Sequence, residues 1–219
     1  MDDTEQPKDQ SPKTENQSVA AILLAAGRSA RMGAFKPLLP FGQTSVIEAC
    51  IEYLKTGGVE TIVLVLGHNA ETIRQHINDP SVLFAVNSDP ASEMSESIRC
   101  GVEKLPAFAA ATLVALVDHP AVPPRVVETL IEEWKRGAEL IIPTWQGRGG
   151  HPVLIDLRWR RELENLDGAS GLKSLFQKEA DRVTRVPVRS EYIARDMDTW
   201  DDYTRLYADV FGQAPPVGN

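Results

Sequence analysis

The amino-acid sequence predicts an α/β protein: a three-layer α/β/α sandwich around a mostly parallel sheet. Three observations carry that expectation. Short runs rich in branched apolar residues recur along the chain, namely "AAILLAA", "TIVLVL", "VLFAV", "TLVALV" and "ELIIPT". Amphipathic segments of helical period separate them, the alternation expected of a parallel sheet covered by helices. Each run is too short for an ordinary helix and too evenly apolar for a half-wet strand, so each reads as a strand buried on both faces.

The elements follow in order. Residues 1–18 contain almost no apolar side chain after Met1, cannot repay the entropy of ordering, and are expected to be a disordered tail. A single domain is expected over residues 19–212, since 219 residues with 42% hydrophobic content suffice for one sizeable core. Residues 213–219 read as a flexible end. The first strand run closes at Gly27. Ser45 and Glu48 then form a capping box for a helix with Val46, Ile47, Cys50, Ile51 and Leu54 on one face and Gly57 as its stop. The second run leads to Gly67 and His68, the third to Asn87. Ser95 and Ser97 are placed to cap the next helix, whose apolar face holds Ile98, Val102 and Leu105. The fourth run ends at Asp118. A helix beginning near Pro123 and Pro124 buries Val126, Val127, Leu130, Ile131 and Trp134 and stops near Gly137. The fifth run leads through a loop holding Trp145 to His151. Trp134 and Trp159 fit amphipathic faces as core residues.

Composition narrows the function. A formal net charge of −8 argues against wrapping nucleic acid or lying on an anionic membrane, since both require a broad basic surface. A small anionic ligand needs only a local basic pocket. Cys50 and Cys100 are far apart on helical segments and read as buried free thiols rather than a disulfide or metal knuckle. No apolar run approaches the about 18 residues of a membrane span, and the first apolar stretch lacks a secretory leader pattern, so a cytoplasmic protein is expected.

Ligands of open α/β sheets collect at the carboxyl ends of the strands. There the loop "AAGRSARMGAFKP" gathers Arg28, Arg31 and Lys36 beside Gly27, whose missing Cβ lets backbone approach a ligand. Two readings stand: a solvated surface loop, or a cradle for a polyphosphate. Neither the Walker pattern nor the G-x-G-x-x-G dinucleotide fingerprint occurs, which removes the main support for a kinase or a dehydrogenase. Asp118 also has two readings, a helix cap ahead of Pro123 or a hard-cation ligand.

Leu24, Ala25, Ala26, Gly27, Ser29, Arg31, Met32, Gly33, Lys36 and Pro37 resemble the first-loop motif of the MobA-like nucleotidyltransferase superfamily. The resemblance continues through "VLGHNAETI", "MSESIRCGV", "VDHPAVPP", "GRGGHPVLI" and "DMDTWDDY", most similar to the molybdenum cofactor cytidylyltransferase branch. It implies a Rossmann-like fold of the nucleotide-diphospho-sugar transferase type and transfer of CMP from CTP to the terminal phosphate of molybdopterin, with release of pyrophosphate. The paired alanines at 25 and 26 resemble the cytidylyl type, their methyl groups leaving less room for a purine.

The resemblance implies roles for particular residues. Lys36, Arg31 and Asp118 are expected to be catalytic; Leu24, Ala25, Ala26, Gly27, Arg28, Ser29, Lys36 and Asn87 to hold the nucleotide; and Asp118 and Asp198 to bind Mg²⁺, which usually takes only one or two protein carboxylates. Ser95, Ser97 and His151 are candidates for the acceptor, though all three also have structural readings. His68 reads as structural, and Trp145 as a platform for stacking a flat pterin. Val117, His119, Glu93 and Trp200 depart from the common residues Gly, Gln or Met, Gly and Pro. They leave open a cytidylyl- or uridylyltransferase acting on a sugar or isoprenoid-precursor phosphate, and a non-catalytic cofactor-binding or maturation protein that passes molybdopterin to a molybdoenzyme.

Overall fold

A computed structural model describes residues 18–27, 32–89, 91–168 and 170–216. Strand β1 (Ser18–Ala25) leads by way of a 3-10 turn at Lys36–Leu38 to a hairpin of β2 (Pro40–Phe41) and β3 (Thr44–Ser45). Then come α1 (Val46–Thr56), β4 (Thr61–Leu66), α2 (Ala70–His76), β5 (Val82–Val86), α3 (Met94–Lys104), β6 (Ala109–Leu116), α4 (Pro124–Lys135) and β7 (Leu140–Trp145). β8 (Arg148–Gly149) folds back on β7, followed by β9 (Val153–Asp156), α5 (Arg160–Glu164), α6 (Gly171–Lys178), β10 (Val183–Pro187) and α7 (Trp200–Phe211).

The sheet runs β10-β7-β9-β6-β1-β4-β5, with β8 on β7. Alternation along β1 divides the core: Ala21 and Leu23 join the layer formed with α1 and α4, while Ala20 and Ile22 join the layer of α3, α5 and α6. Burial on both faces explains the unbroken apolar run. Gly101 lets α3 lie close, because a Cβ there would stand 2.5 Å from Ile22 Cγ2. A third cluster seats α7 on the hairpin through Phe41, Tyr203, Leu206 and Tyr207.

The local signals for α1 and α4 translate directly into structure. Ser45 N–H donates to Glu48 Oε2 at 2.8 Å while Ser45 Oγ accepts from Glu48 N–H, closing the capping box. Proline at the first turn of α4 costs no hydrogen bond, and Trp134 on its inner face donates its indole N–H to buried Asp156 at 2.8 Å.

Several expectations are corrected. Residues 1–17 lie outside the described residues, but Ser18 already belongs to β1, paired beside Ala109 of β6. β5 is an edge strand with Leu83 and Val86 exposed, because only β4 pairs with it. β9, which has no run of its own in the reading above, inserts antiparallel between β6 and β7. Cys50 is buried, whereas Cys100 is only half-buried. Among the described residues, no helix is long and apolar enough to cross a membrane.

Candidate functional site

The sequence order turns back at β1, which has β4 on one side and β6 on the other, and a crevice opens at the carboxyl ends of these strands. A cavity of about 490 Å³ lies there, a size suited to a small-molecule ligand. Its walls come from the carboxyl ends of strands and the turns that follow them: Leu24, Ala26 and Gly27 at β1, Gly67 and His68 at β4, Asn87, Asp89, Ser92, Glu93 and Met94 between β5 and α3, and Leu116, Val117 and Asp118 at β6. Lys36, Pro37 and Asp198 close it from the hairpin side. The approach of the first two walls requires a glycine, since a Cβ on Gly67 would meet the Ala26 carbonyl oxygen at 2.7 Å.

Three charged groups converge. Lys36 begins the 3-10 turn and is buried, and its Nζ lies 3.0 Å from Asp198 Oδ1. Asp118 follows β6, and its carbonyl accepts the Met197 N–H at 3.1 Å, which ties the Asp198 segment to the end of that strand. Asp118 Oδ1 is buried and has no hydrogen-bond partner among the described residues. Burial pushes the Asp118 carboxyl above its usual range, against the pull of His119 and Lys36, with Asp198 adding to the rise. His119 Nε2 stands 3.6 Å from Asp118 Oδ1, while its Nδ1 faces the Tyr192 carbonyl at 3.3 Å.

The remaining expected residues separate into groups. Arg28, Ser29 and Arg31 lie outside the described residues. Asn87 and Ser97 line the cavity, both buried. Neither serine caps α3, whose N-cap is Glu93; Ser95 and Ser97 fall inside the first turns and are packed. Asp118 is likewise no helix cap, because Pro123 holds that position at α4. Ala26 lines the cavity, but Ala25 packs into the α1/α4 core, since successive strand residues face opposite sides. His151 does not line the cavity; its Nδ1 lies 3.4 Å from the Val114 carbonyl and its ring 5.8 Å from that of His119. Trp145 ends β7 instead of occupying a loop, and it packs on the α1/α4 core.

His68, read as structural, is an exposed part of the cavity wall. Asp89, Ser92 and Met94 were not singled out, although the dense polar run "NSDPASE" at a strand's carboxyl end was the available signal. Among the described residues, no group of three or more His, Cys, Asp or Glu side chains forms a metal cluster. A pair of carboxylates, one with an unpartnered buried oxygen, nevertheless suits a hard cation that completes its shell with water and phosphate oxygens.

A mostly parallel sheet that gathers a buried lysine and two carboxylates at its carboxyl edge has the layout of a ligand-binding α/β protein. The chain belongs to the MobA-like NTP transferase domain family, whose model matches residues 21–183, and it is a nucleotidyltransferase. It is 30% identical over 206 residues to nicotine blue oxidoreductase of Paenarthrobacter nicotinovorans, covering 88% of this chain and 98% of the relative. It is 23% identical over 188 residues to the molybdenum cofactor cytidylyltransferase of Escherichia coli K12, covering 85% and 94%. Rv0371c of Mycobacterium tuberculosis H37Rv matches in structure with TM-score 0.79 at 27% identity, covering 88% of this chain and 98% of that one. Its manganese complex matches with TM-score 0.75 at 27% identity, covering 87% and 98%.

Proposed function

We propose that the protein transfers CMP from CTP to the terminal phosphate of molybdopterin and releases pyrophosphate. The observation that carries this reading is the convergence of Lys36, Asp118 and Asp198 on one cavity. An acceptor phosphate oxygen attacks the α-phosphorus in line. The bond from that phosphorus to the bridging oxygen breaks, and its electron pair leaves with pyrophosphate. Lys36 stabilises the charge that develops at the α-phosphate, and Arg28 and Arg31 hold the departing β- and γ-phosphates. Ala26 narrows the base site against purines. The 23% identical cytidylyltransferase supports the choice of CTP and acceptor, since its name specifies that chemistry.

Asp118 and Asp198 would hold Mg²⁺, and the manganese complex of the mycobacterial relative supports a divalent cation. When bound, the ion supplies positive charge to the phosphate oxygens. The protein's own share is to keep the two carboxylates together through the Met197–Asp118 hydrogen bond and to aim Lys36 at the same point.

Pyrophosphate release measured with each of four nucleoside triphosphates, against molybdopterin and against sugar phosphates, tests the proposal. Turnover with CTP and molybdopterin is expected. Turnover only with a sugar or isoprenoid-precursor phosphate replaces the acceptor, and binding without turnover in Mg²⁺ or Mn²⁺ makes the protein a cofactor carrier. A parallel arm following the colour of nicotine blue covers the activity for which the Paenarthrobacter relative is named.

A further inference from the structure

The β5–α3 connection forms one wall of the cavity, and its hydrogen bonds fix the direction of each polar group. Asn87 Oδ1 lies 3.1 Å from the Asp89 backbone nitrogen. A backbone N–H only donates, so Oδ1 accepts and the two amide protons sit on Nδ2. That nitrogen stands 2.8 Å from Ser92 Oγ and 2.9 Å from Ser97 Oγ, and both serine oxygens therefore accept. Ser92 sends its own proton to the Asp89 carbonyl at 2.8 Å. The Ser97 proton has no acceptor among the described residues, yet Ser97 is only 7% exposed and lines the cavity. A buried hydroxyl that accepts from Asn87 and has its proton uncommitted is placed to donate to a molecule in the cavity.

We infer that Asn87 is a positioning residue acting through Ser97: by donating to Ser97 Oγ, it holds the hydroxyl proton toward the cavity, where it meets a ring nitrogen or carbonyl oxygen of a bound substrate. Both Asn87 amide protons are consumed inside the protein, so whatever it donates reaches a substrate through the serine. The inference rests on the nucleotidyltransferase reading of the cavity. The acceptor atom belongs to a heterocycle, either the nucleobase or the ring system of the second substrate.

Asn87→Asp reverses the arrangement at constant shape. A carboxylate has no proton to give, accepts from Asp89 N–H as before, and draws the Ser97 proton onto itself. Ser97→Ala deletes the same donor. Each variant is expected to weaken substrate binding by roughly 10-fold, the scale of one hydrogen bond. The double variant is expected to be no weaker than the worse single, because both changes remove one interaction. Affinity for CTP with Mg²⁺ by calorimetry, and KM for molybdopterin in the pyrophosphate assay, tell which heterocycle is read.

Additive losses would show that Asn87→Asp acts by charge repulsion alone and would overturn the inference, as would unchanged binding in both arms. If Asn87→Asp does not fold, Asn87→Ala takes its place in the same cycle with the same criterion. A wild-type protein that binds none of four nucleoside triphosphates overturns the underlying functional reading instead, which separates the two failures.

Discussion

Lys36 Nζ and Asp198 Oδ1 stand 3.0 Å apart although 162 residues separate them in the chain. The contact joins the first loop of the domain to the segment before its last helix, and it brings a buried ammonium to the cavity wall beside Asp118. Lys36→Ala is expected to lower turnover by about 10² to 10³. Asp198 is more than a third exposed, so losing the ion pair should change the thermal midpoint little. Pyrophosphate release and a melting curve on the same sample check both halves, and near-normal turnover removes Lys36 from the reaction.

Asp118 places a carboxylate oxygen with no hydrogen-bond partner among the described residues in a buried setting, which is costly for an ionised group. Asp118→Asn removes the charge at nearly constant volume. The variant should melt higher by roughly 2–4 °C, corresponding to about 1 kcal/mol in a chain of this size, and should lose metal-dependent pyrophosphate release. A lower melting point in metal-free buffer would mean that the carboxylate is already compensated.

His151 is a base held neutral: burial, then the charge of His119, pushes its pKa from 6.5 down to about 4, against the Val114 carbonyl. Between those values the unfolded chain binds the proton and the folded chain does not. Stability is therefore full above pH 6.5, falls as pH drops through the window, and levels off below about pH 4, a loss of roughly 3 kcal/mol at most. Denaturant unfolding of wild type and His151→Asn from pH 7 to 4 checks this, the variant being expected to show the flatter profile.

Trp134→Phe retains a ring of similar reach but deletes the indole N–H that reaches Asp156. Losing one hydrogen bond to a buried carboxylate that keeps Arg158 as a partner should cost about 1–3 kcal/mol. The cavity lies at the other end of the strands, so nucleotide affinity is expected to stay unchanged. Chemical denaturation and calorimetric titration read the two quantities separately.

How much of this was legible in the chain depended on whether a signal was local. The strand over Thr61–Leu66 and the capping box at Ser45 were readable, because buried parallel strands and helix starts each carry their own short code. Edge position carries none. "VLFAV" looks like its neighbours, yet Leu83 and Val86 meet solvent because no strand lies beyond β5. The serines of "MSESI" match a cap pattern, but the N-cap is Glu93, two residues before Ser95, so the helix begins at Met94 and packs both serines inside its first turns. Asp118 was visible as a carboxylate at a strand end, whereas Asp198 came only from the family resemblance, since nothing local tells a loop aspartate which strand it will face.

The hydrogen bond from Met197 to the Asp118 carbonyl also has a consequence for the order in which the molecule is made. A nascent chain emerging from the ribosome exposes Lys36 and Asp118 long before Asp198, and domains are completed as their last interacting segments arrive. Asp198 thus reaches the pocket only after the segment that follows β10 has emerged, so on a nascent chain Lys36 and Asp118 stand at the cavity before their distant carboxylate neighbour arrives.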